Sequence, residues 1–566
     1  MFKFIHSTSG RRYAALAALL VLTITNTLTA YAQDDSQLDK EELRRRTQQE
    51  TQERQNRQRQ ADSFLQKDIK TTDDTTLPEE TISFPIHTVH LEGERIQAFS
   101  WLQEKLKQYQ GRRIGIEGIN LIVKRLTNDL IAHGYITTRI AIPEQDLSQG
   151  TLRLILIPGI IQSIRFASDG KTGYWQNAFP TRSGDILNLR ALEQGLEQLK
   201  RVPSQDADMQ IEPGEKPGES NIVITLKHTK PWRFSSSLDN SGSRATGKLQ
   251  ASATLSLDNL TNQNDLFYIS LNNDAMDDGS FRGTNGSSFY YSLPYGYWTF
   301  SLSNSTYDYH QTVLGTNQTF PYSGTSQTTE FRAQRLLHRD QTSKTGAQFR
   351  IIKKDSRNYL SDTELPNQRK DVTADELALT HHQYYGKTVL DLDLAYRWGV
   401  PWFGAQPDTA SGDSPTTRYQ LWTLDANLST PLKLGKKTGQ YQISFRAQQT
   451  DDVLYTSDQF SIGNQYTVRG FDGEQTLTAE NGWYVRNEIS LPVHNGKELY
   501  LGLDYGRVSG PSAQFLDGHS LSGAVLGLRG STGRFSYDVN TGWPLHKPAT
   551  LETSSHPLNF MLNYQY

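Results

Sequence analysis

Apolar and polar residues alternate with a period of two from about Trp232 to the end of the chain. This period predicts β-strands with one apolar and one polar face, because successive side chains of a strand point to opposite faces. About sixteen such segments occur, each close to the ~10 residues that a tilted membrane strand needs. The clearest apolar runs are Leu249, Ala251, Ala253, Leu255 and Leu257; Leu390, Leu392, Leu394, Tyr396 and Trp398; Tyr441, Ile443, Phe445 and Ala447; Leu499, Leu501, Leu503 and Tyr505; and Phe560, Leu562, Tyr564 and Tyr566.

The connections between these segments alternate in length. Short turns lie at Asn259–Asn264, Pro294–Gly296, Tyr385–Lys387, Pro492–Lys497 and Ser531–Gly533, and longer loops lie at Asp274–Asn285, His310–Gly324, Asp355–Ala374, Pro401–Thr416, Asp451–Thr478 and Trp543–Ser555. Short periplasmic turns and long outer loops are typical of bacterial outer-membrane barrels. We therefore predict an all-β membrane barrel of about sixteen antiparallel strands over residues 230–566. A soluble β-sandwich, the alternative, would leave the aromatic faces exposed.

Two smaller modules with mixed helix and strand patterns precede the barrel, at residues 82–158 and 159–229. Each contains an apolar stripe at helical spacing, which predicts a helix packed on a sheet in a small α+β unit. The stripe of the first module holds Ile119, Ile122, Val123, Leu126 and Leu130, and that of the second holds Leu189, Leu192, Leu196 and Leu199. In the first module we expect Gly134 to end the helix, and strands to follow over Tyr135–Ile142 and Leu152–Ile157. Sheet edges of such modules can bind an extended chain by strand addition.

The N-terminal segments differ in composition from both regions. A basic start, an apolar run from Ala14 to Ile24 and the small-x-small sequence Ala30-Tyr31-Ala32 predict a secretory signal peptide over residues 1–32. The apolar run is shorter than the ~20 residues that a membrane-spanning helix needs. Residues 33–66 are polar and rich in Gln, Arg and Glu, which predicts a helix without a core-facing stripe. Such a helix either plugs a wet barrel lumen or forms a solvated leader, and residues 67–81 are typical of a flexible linker.

Composition and motifs narrow the possible functions. A net charge of −3 argues against a nucleic-acid partner. The mean hydropathy of −0.61 excludes a helical membrane protein but not a barrel, whose lipid-facing and lumen-facing residues alternate. The chain has no Cys, which excludes disulfides and cysteine metal sites. The sequence contains no H-E-x-x-H motif, phosphate-binding loop or nucleophile elbow, so we expect a protein that is not an enzyme and uses no cofactor or metal.

Short motifs in both modules resemble those of one transporter family. In the first module Leu130–Thr138 reads L-I-A-H-G-Y-I-T-T, with Gly134 and Tyr135 at its centre. In the second, Asn188–Leu196 reads N-L-R-A-L-E-Q-G-L and holds the signature residues Asn188, Leu189, Glu193 and Leu196. These motifs resemble the two-partner secretion transporters, which include haemolysin activators, filamentous-haemagglutinin transporters and contact-dependent-inhibition transporters of the barrel-insertase superfamily. The resemblance covers essentially the whole mature chain and implies that the two modules are polypeptide-transport-associated (POTRA) domains.

The most specific motif lies in the loop Asp451–Thr478 and reads Val468, Arg469, Gly470 and Phe471. Taken alone, Arg469 is more simply interpreted as a surface arginine. The resemblance implies instead that the loop folds back into the lumen and that Arg469 pairs with an acidic residue on the next-but-one strand. Asp504 occupies that position, and an arginine fork can hold a carboxylate in a bidentate pair. The alternation also places Asp504 in the lumen, because Leu501, Leu503 and Tyr505 would face lipid.

The resemblance implies an outer-membrane translocation pore with periplasmic POTRA domains. Its expected partner is one large secreted exoprotein (a haemolysin, an adhesin or a contact-dependent toxin) that carries an N-terminal secretion domain. The POTRA domains would recognise this exoprotein in the periplasm, and the barrel, a monomer among outer-membrane lipids, would export it to the cell surface. Two alternatives stay open, a barrel-assembly insertase of the same superfamily and a passive porin.

Overall fold

A computed structural model describes residues 41–54, 74–168, 173–276, 279, 281–408, 414–494 and 496–566 of the chain. The predicted signal peptide lies outside these residues, as do most of the predicted N-terminal helix and half of the predicted linker. Among the helices of the described segments, none is both long and apolar enough to cross a membrane.

The first module contains two small sheets and two helices around one apolar core. Its elements are β1 (Phe84–Ile86), β2 (Thr88–Gly93), α1 (Ser100–Leu106), β3 (Arg112–Ile114), α2 (Ile116–Ala132), β4 (Arg139–Ala141) and β5 (Thr151–Ile157). Strand β1 pairs with β3, while β2 and β4 flank β5, to which β2 runs parallel. The predicted apolar face of α2 points into the core, with Ile122 and Leu130 fully buried.

Glycine ends helix α2, as predicted, but the strand that follows is shorter than predicted. Gly134 adopts a φ of +93°, and the N–H of Tyr135 donates to the carbonyl of Leu130 at 2.8 Å. This backbone geometry is that of a Schellman cap. The chain then turns, with the N–H of Thr138 donating to Tyr135, so the predicted strand Tyr135–Ile142 is wrong over its first half and only β4 is extended.

The second module is a three-stranded sheet covered by one helix. Its elements are β6 (Ile160–Phe166), α3 (Leu189–Lys200), β7 (Gln205–Pro213) and β8 (Glu219–His228), with β8 in the centre of the sheet. Asn188 caps α3, because its side-chain oxygen accepts from the N–H of Arg190 at 2.8 Å. All four leucines of the predicted stripe, Leu189, Leu192, Leu196 and Leu199, are buried.

Two of the sequence signature residues join the modules to each other. The side-chain amide of Asn188 donates to the carbonyl of His133 at 3.1 Å, and the N–H of Leu189 donates to the carbonyl of Gly134 at 2.8 Å. A Cβ atom at Gly134 would lie 2.7 Å from Asn188 Oδ1, so glycine permits this close approach. The end of α2 and the start of α3 are therefore locked together.

The remainder of the described chain forms a closed antiparallel barrel, in agreement with the predicted fold. In the described residues its wall has sixteen strands, β9 to β15, β17 to β20 and β23 to β27, with the last paired to the first. Their bounds are β9 Trp232–Asp239, β10 Gln250–Asp258, β11 Leu266–Asp274, β12 Arg282–Tyr295, β13 Trp298–Leu314, β14 Thr319–Arg339, β15 Ser343–Leu360, β17 Lys370–Tyr385, β18 Thr388–Val400, β19 Gln420–Leu434, β20 Lys437–Gln449, β23 Asn481–His494, β24 Lys497–Ser509, β25 Ser520–Thr532, β26 Phe535–His546 and β27 Leu558–Gln565. The two-residue strand β16 (Thr363–Glu364) extends the outer end of β15.

Strands β13 to β15 are longer than the alternation predicts. The predicted loops His310–Gly324 and Asp355–Ala374 are largely strand, and the β13–β14 hairpin turns only between Leu314 and Thr319. Beyond the lipid neither face of a strand has to be apolar, so the alternation that marks membrane strands is lost there. Buried tyrosines hold this extension instead: Tyr307, Tyr309 and Tyr322.

Residues 41–54 form a helix inside the barrel, so the described part of the predicted N-terminal helix is lumenal. Arg46 donates to the carbonyls of Ser457 and Gln459 at 2.6 and 2.5 Å, and Arg45 stacks on the ring of Tyr307. A helix that is polar all round fits this place because the surrounding wall is also polar. Of the predicted linker, residues 74–81 are described, and Glu80 accepts from backbone N–H groups at the start of α2.

Candidate functional site in the barrel lumen

The connection between β20 and β23 folds into the lumen rather than away from the barrel. It contains a hairpin of β21 (Phe460–Ile462) and β22 (Leu477–Ala479). Its apolar side chains form a separate core against β23 to β25, and the members from the motif, Val468 and Phe471, are 0% and 1% exposed. Burial of this size holds the loop against one side of the barrel.

Arg469 and Asp504 are brought together at the base of this loop. Arg469 Nε donates to Asp504 Oδ2 at 2.7 Å and Nη2 donates to Oδ1 at 2.9 Å, a bidentate pair. The backbone N–H of Arg469 donates to the same carboxylate at 3.0 Å. The pair is almost solvent-free, with Arg469 at 6% and Asp504 at 4% exposure. The neighbours Leu501, Leu503 and Tyr505 face outward, as the alternation predicts.

A second acidic residue, Glu488 on β23, completes the arginine's surroundings. Arg469 Nη1 donates to Glu488 Oε2 at 2.5 Å, and Arg529 Nη1 donates to the other oxygen at 2.8 Å. Arg529 in turn contacts Glu498 at 3.0 Å. Charges therefore alternate along the wall from Asp504 to Glu498, and each one has an opposite neighbour. The sequence Val485–Ile489, which contains Glu488, also resembles the transporter family, but sequence reasoning gave Glu488 no role, although its alternation with Ile489 places it in the lumen.

Glycines on the barrel wall form the seat of the motif. Gly470 has a φ of +103°, and a Cβ there would lie 2.7 Å from the carbonyl oxygen of Trp543. A Cβ at Gly523 would lie 2.0 Å from the carbonyl oxygen of Arg469, and one at Gly542 would lie 2.6 Å from Gly470 Cα. Only residues without a side chain let the loop backbone approach the wall this closely. Sequence reasoning missed Gly523 and Gly542, because the local sequence of β25 and β26 does not show which residues pack on them.

The second module is clamped to the inner mouth of the barrel through α3. Glu193, which is 0% exposed, contacts Arg190 at 2.8 Å and Arg339 at 3.5 Å. Arg339, at the end of β14, also contacts Glu197 at 2.7 Å, and Lys344 on β15 contacts the same carboxylate at 2.9 Å. The signature residue Glu193 thus lies at a junction between module and barrel. Its sequence motif gave no indication of Arg339 as a partner.

We expect the substitution Arg339→Ala to loosen this junction. Removing the guanidinium deprives the buried Glu193 and the half-buried Glu197 of one partner each, although Arg190 and Lys344 stay in place. Amide hydrogen exchange in α3 should therefore accelerate about tenfold, the equivalent of ~1.4 kcal/mol of local stability. Mass spectrometry on the detergent-solubilised protein measures this rate. The exposed pair Arg165–Glu212 offers a matched control, since Arg165→Ala should leave α3 unchanged. Unaltered amide exchange in Arg339→Ala would show that Arg339 does not stabilise this junction.

The sequence profile described as "Haemolysin secretion/activation protein ShlB/FhaC/HecB" matches residues 218–530, more than half of the chain. The chain belongs to this haemolysin secretion/activation family. Residues 84–159 of this family member match the profile "POTRA domain, ShlB-type", and residues 160–213 match "POTRA domain". The two modules are therefore POTRA domains, as predicted.

Curated relatives and solved structures agree with the family assignment. The family member is 44% identical over 474 residues to "Outer membrane transporter CdiB-2" of Burkholderia pseudomallei, covering 83% of this chain and 81% of that protein. It is 31% identical over 509 residues to "Hemolysin transporter protein ShlB" of Serratia marcescens, covering 87% of both. The solved structure of CdiB from Acinetobacter baumannii, 29% identical, superposes with a TM-score of 0.83 over 93% of this chain and 99% of that chain.

Proposed function

We propose that this chain exports one large exoprotein across the outer membrane by two-partner secretion. The curated relatives are named as outer membrane and hemolysin transporters, and this chain spans over four-fifths of the two described above. One structural observation carries the proposal: a polar helix and a loop of the same chain occupy the lumen, next to one POTRA domain that is clamped to the barrel and another that is joined to it. A passive porin needs neither obstruction nor receptor modules.

The POTRA sheets supply the recognition surface in this proposal. Strands β6 and β7 are the edges of the second sheet, and β2 and β4 are the edges of the sheet around β5. Residues 184–186 already bond to the start of β6, and the Gln103 side chain bonds to β2, so β7 and β4 offer the more open edges. Unpaired N–H and C=O groups at such edges bind an extended segment by strand addition, with little demand on its sequence. The exoprotein arrives unfolded and carries its secretion domain to these edges.

The two lumenal segments then act as removable obstructions. The helix of residues 41–54 leaves the lumen, and the loop that carries Arg469 controls the remaining opening. No nucleotide motif occurs in the sequence, so folding of the exoprotein at the cell surface supplies the driving force. The barrel works as a monomer, with its outward-facing Leu and aromatic side chains in contact with outer-membrane lipid.

Deletion of the gene tests this function directly. We expect one specific large protein to disappear from the culture medium or cell surface and to accumulate, or be degraded, in the periplasm. Quantitative proteomics of both fractions, with and without plasmid-borne complementation, measures the change. An unchanged exoproteome, or a general loss of many barrel proteins from the outer membrane, would contradict secretion; the second result would indicate an insertase.

A further inference from the structure

The lumenal charges that contact the helix are also paired with each other. Glu50 of the helix contacts Arg446 on β20 at 2.5 Å, and Arg54 contacts Asp425 on β19 at 2.8 Å. Arg446 and Asp425 lie 3.4 Å from one another. If the helix leaves, these two wall residues therefore still form an ion pair.

Two further helix contacts follow the same rule. Arg332 on β14 contacts Glu53 of the helix at 2.9 Å and Glu330, on its own strand, at 2.6 Å. Asp458 of the lumenal loop contacts Arg46 of the helix at 3.6 Å and Lys354 on β15 at 2.6 Å. In the described ion pairs between helix and surroundings, each partner outside the helix thus has a second, opposite charge of its own.

The same arrangement continues on the wall beside the helix. Glu376 on β17 contacts Arg350 on β15 and also Arg397 on β18, the latter at 2.7 Å. Both arginines point into the lumen, since they line the space beside residues 41–54. A charge left without a partner in a confined space is unfavourable, whereas a paired charge keeps most of its compensation. Glu330 also contacts Arg350, at 3.6 Å, so these arginines and Arg332 share two carboxylates. Each charge on the vacated wall therefore keeps at least one opposite neighbour.

We infer that the helix is a placeholder for the transported polypeptide, and that the wall of strands β14 to β20 is a self-paired surface for an extended chain of mixed charge. The inference rests on the proposed function. Because the wall needs no contact from the helix to compensate its charges, helix release leaves no orphaned group. For the same reason the wall offers a weak, polar contact to a passing segment of either sign and traps neither.

Charge substitutions at the helix residue and at the wall residue of one contact distinguish a self-paired wall from a wall whose charges depend on the helix. Planar-bilayer recordings of the full-length protein give the fraction of time in the open state. Glu53→Gln removes a helix contact but leaves Arg332 with Glu330, so openings should become up to about fivefold more frequent. Glu330→Gln removes the second partner of Arg332, which then depends on Glu53, so openings should become less frequent by a similar factor of about five. A self-paired wall thus predicts that the two variants change the opening frequency in opposite directions.

Matched variants keep the test decisive. Glu364→Gln makes the same chemical change at a pair with Arg369 on the outer side, away from the helix, and should not alter gating.

Lys354→Gln and Arg46→Gln repeat the comparison at Asp458 if Glu330→Gln does not assemble, as judged by heat-modifiable gel mobility. Open-state permeability to K⁺ and Cl⁻ should also be nearly equal. More frequent or unchanged openings in both wall variants, or a strongly ion-selective open state, would overturn the inference. The recordings need no exoprotein, so they fail or succeed independently of secretion.

Discussion

Replacement of Arg469 by alanine should nearly abolish secretion while the barrel still assembles. The substitution removes the bidentate contact to Asp504 and the contact to Glu488 together. Among the described residues, Asp504 would then keep Arg486, at 3.9 Å, as its one ion-pair partner. Loss of one partner from a buried ion pair costs ~3–5 kcal/mol, which lowers the population of correctly seated loop by more than about 100-fold. Export should fall by a comparable factor.

Immunoblotting of secreted and cell-associated exoprotein measures this effect, and heat-modifiable gel mobility reports barrel assembly. Arg469→Lys is the informative companion, because an ammonium keeps the charge but not the planar fork. We expect it to restore only part of the export. Secretion at the wild-type level from an assembled Arg469→Ala barrel would show that the ion pair has no role in transport.

Gly523→Ala should strongly reduce export although it adds only one methyl group. The added Cβ would lie 2.0 Å from the carbonyl oxygen of Arg469, a backbone atom that cannot yield without moving the loop. Forcing one methyl group into a closed contact costs ~1–3 kcal/mol, so export should fall about tenfold or more. The loop should also become more accessible to added protease, because it can no longer sit flat on β25.

The same strand offers a control for this substitution. A Cβ at Gly530 would lie 3.0 Å from the Tyr537 hydroxyl, 3.2 Å from Lys497 Cγ and 3.3 Å from the carbonyl oxygen of Gly496, so shifts of a few tenths of an ångström accommodate it. Gly530→Ala should therefore secrete normally. Equal behaviour of the two variants, whether both active or both inactive, would contradict a specific seat for the motif at Gly523.

Sequence reasoning reached the parts of the fold that follow from local rules. The period of two located the strands and placed Asp504 in the lumen, since one polar position among leucines fixes its face. The leucine stripe of α3 and the Gly134 cap follow from helix rules in the same way. The role of the motif around Arg469, in contrast, came from the family resemblance and not from spacing.

Long-range partners could not be predicted by these rules. Glu488, Gly523 and Arg339 are ordinary residues within their own strands, and they matter because a distant loop or helix packs on them. The pairing of Asp425 with Arg446 across neighbouring strands depends on register, which alternation leaves open. The extension of strands β13 to β15 beyond the membrane could not be predicted either, because strands in water need no apolar face.

The helix of residues 41–54 and the loop that carries Arg469 are attached in different ways and to different parts of the barrel wall. The helix is held mainly by ion pairs with the side formed by β14 to β20, whereas the motif loop is held against β23 to β25 by an apolar core and by the buried Arg469–Asp504 pair. High salt screens the partly exposed ion pairs of the helix more than the buried pair of the loop, and it does not weaken the apolar core. Because the two obstructions do not share one kind of attachment, we expect a change in salinity alone not to make the outer membrane leaky to bile salts and bulky antibiotics, even in a cell that carries many copies of this protein.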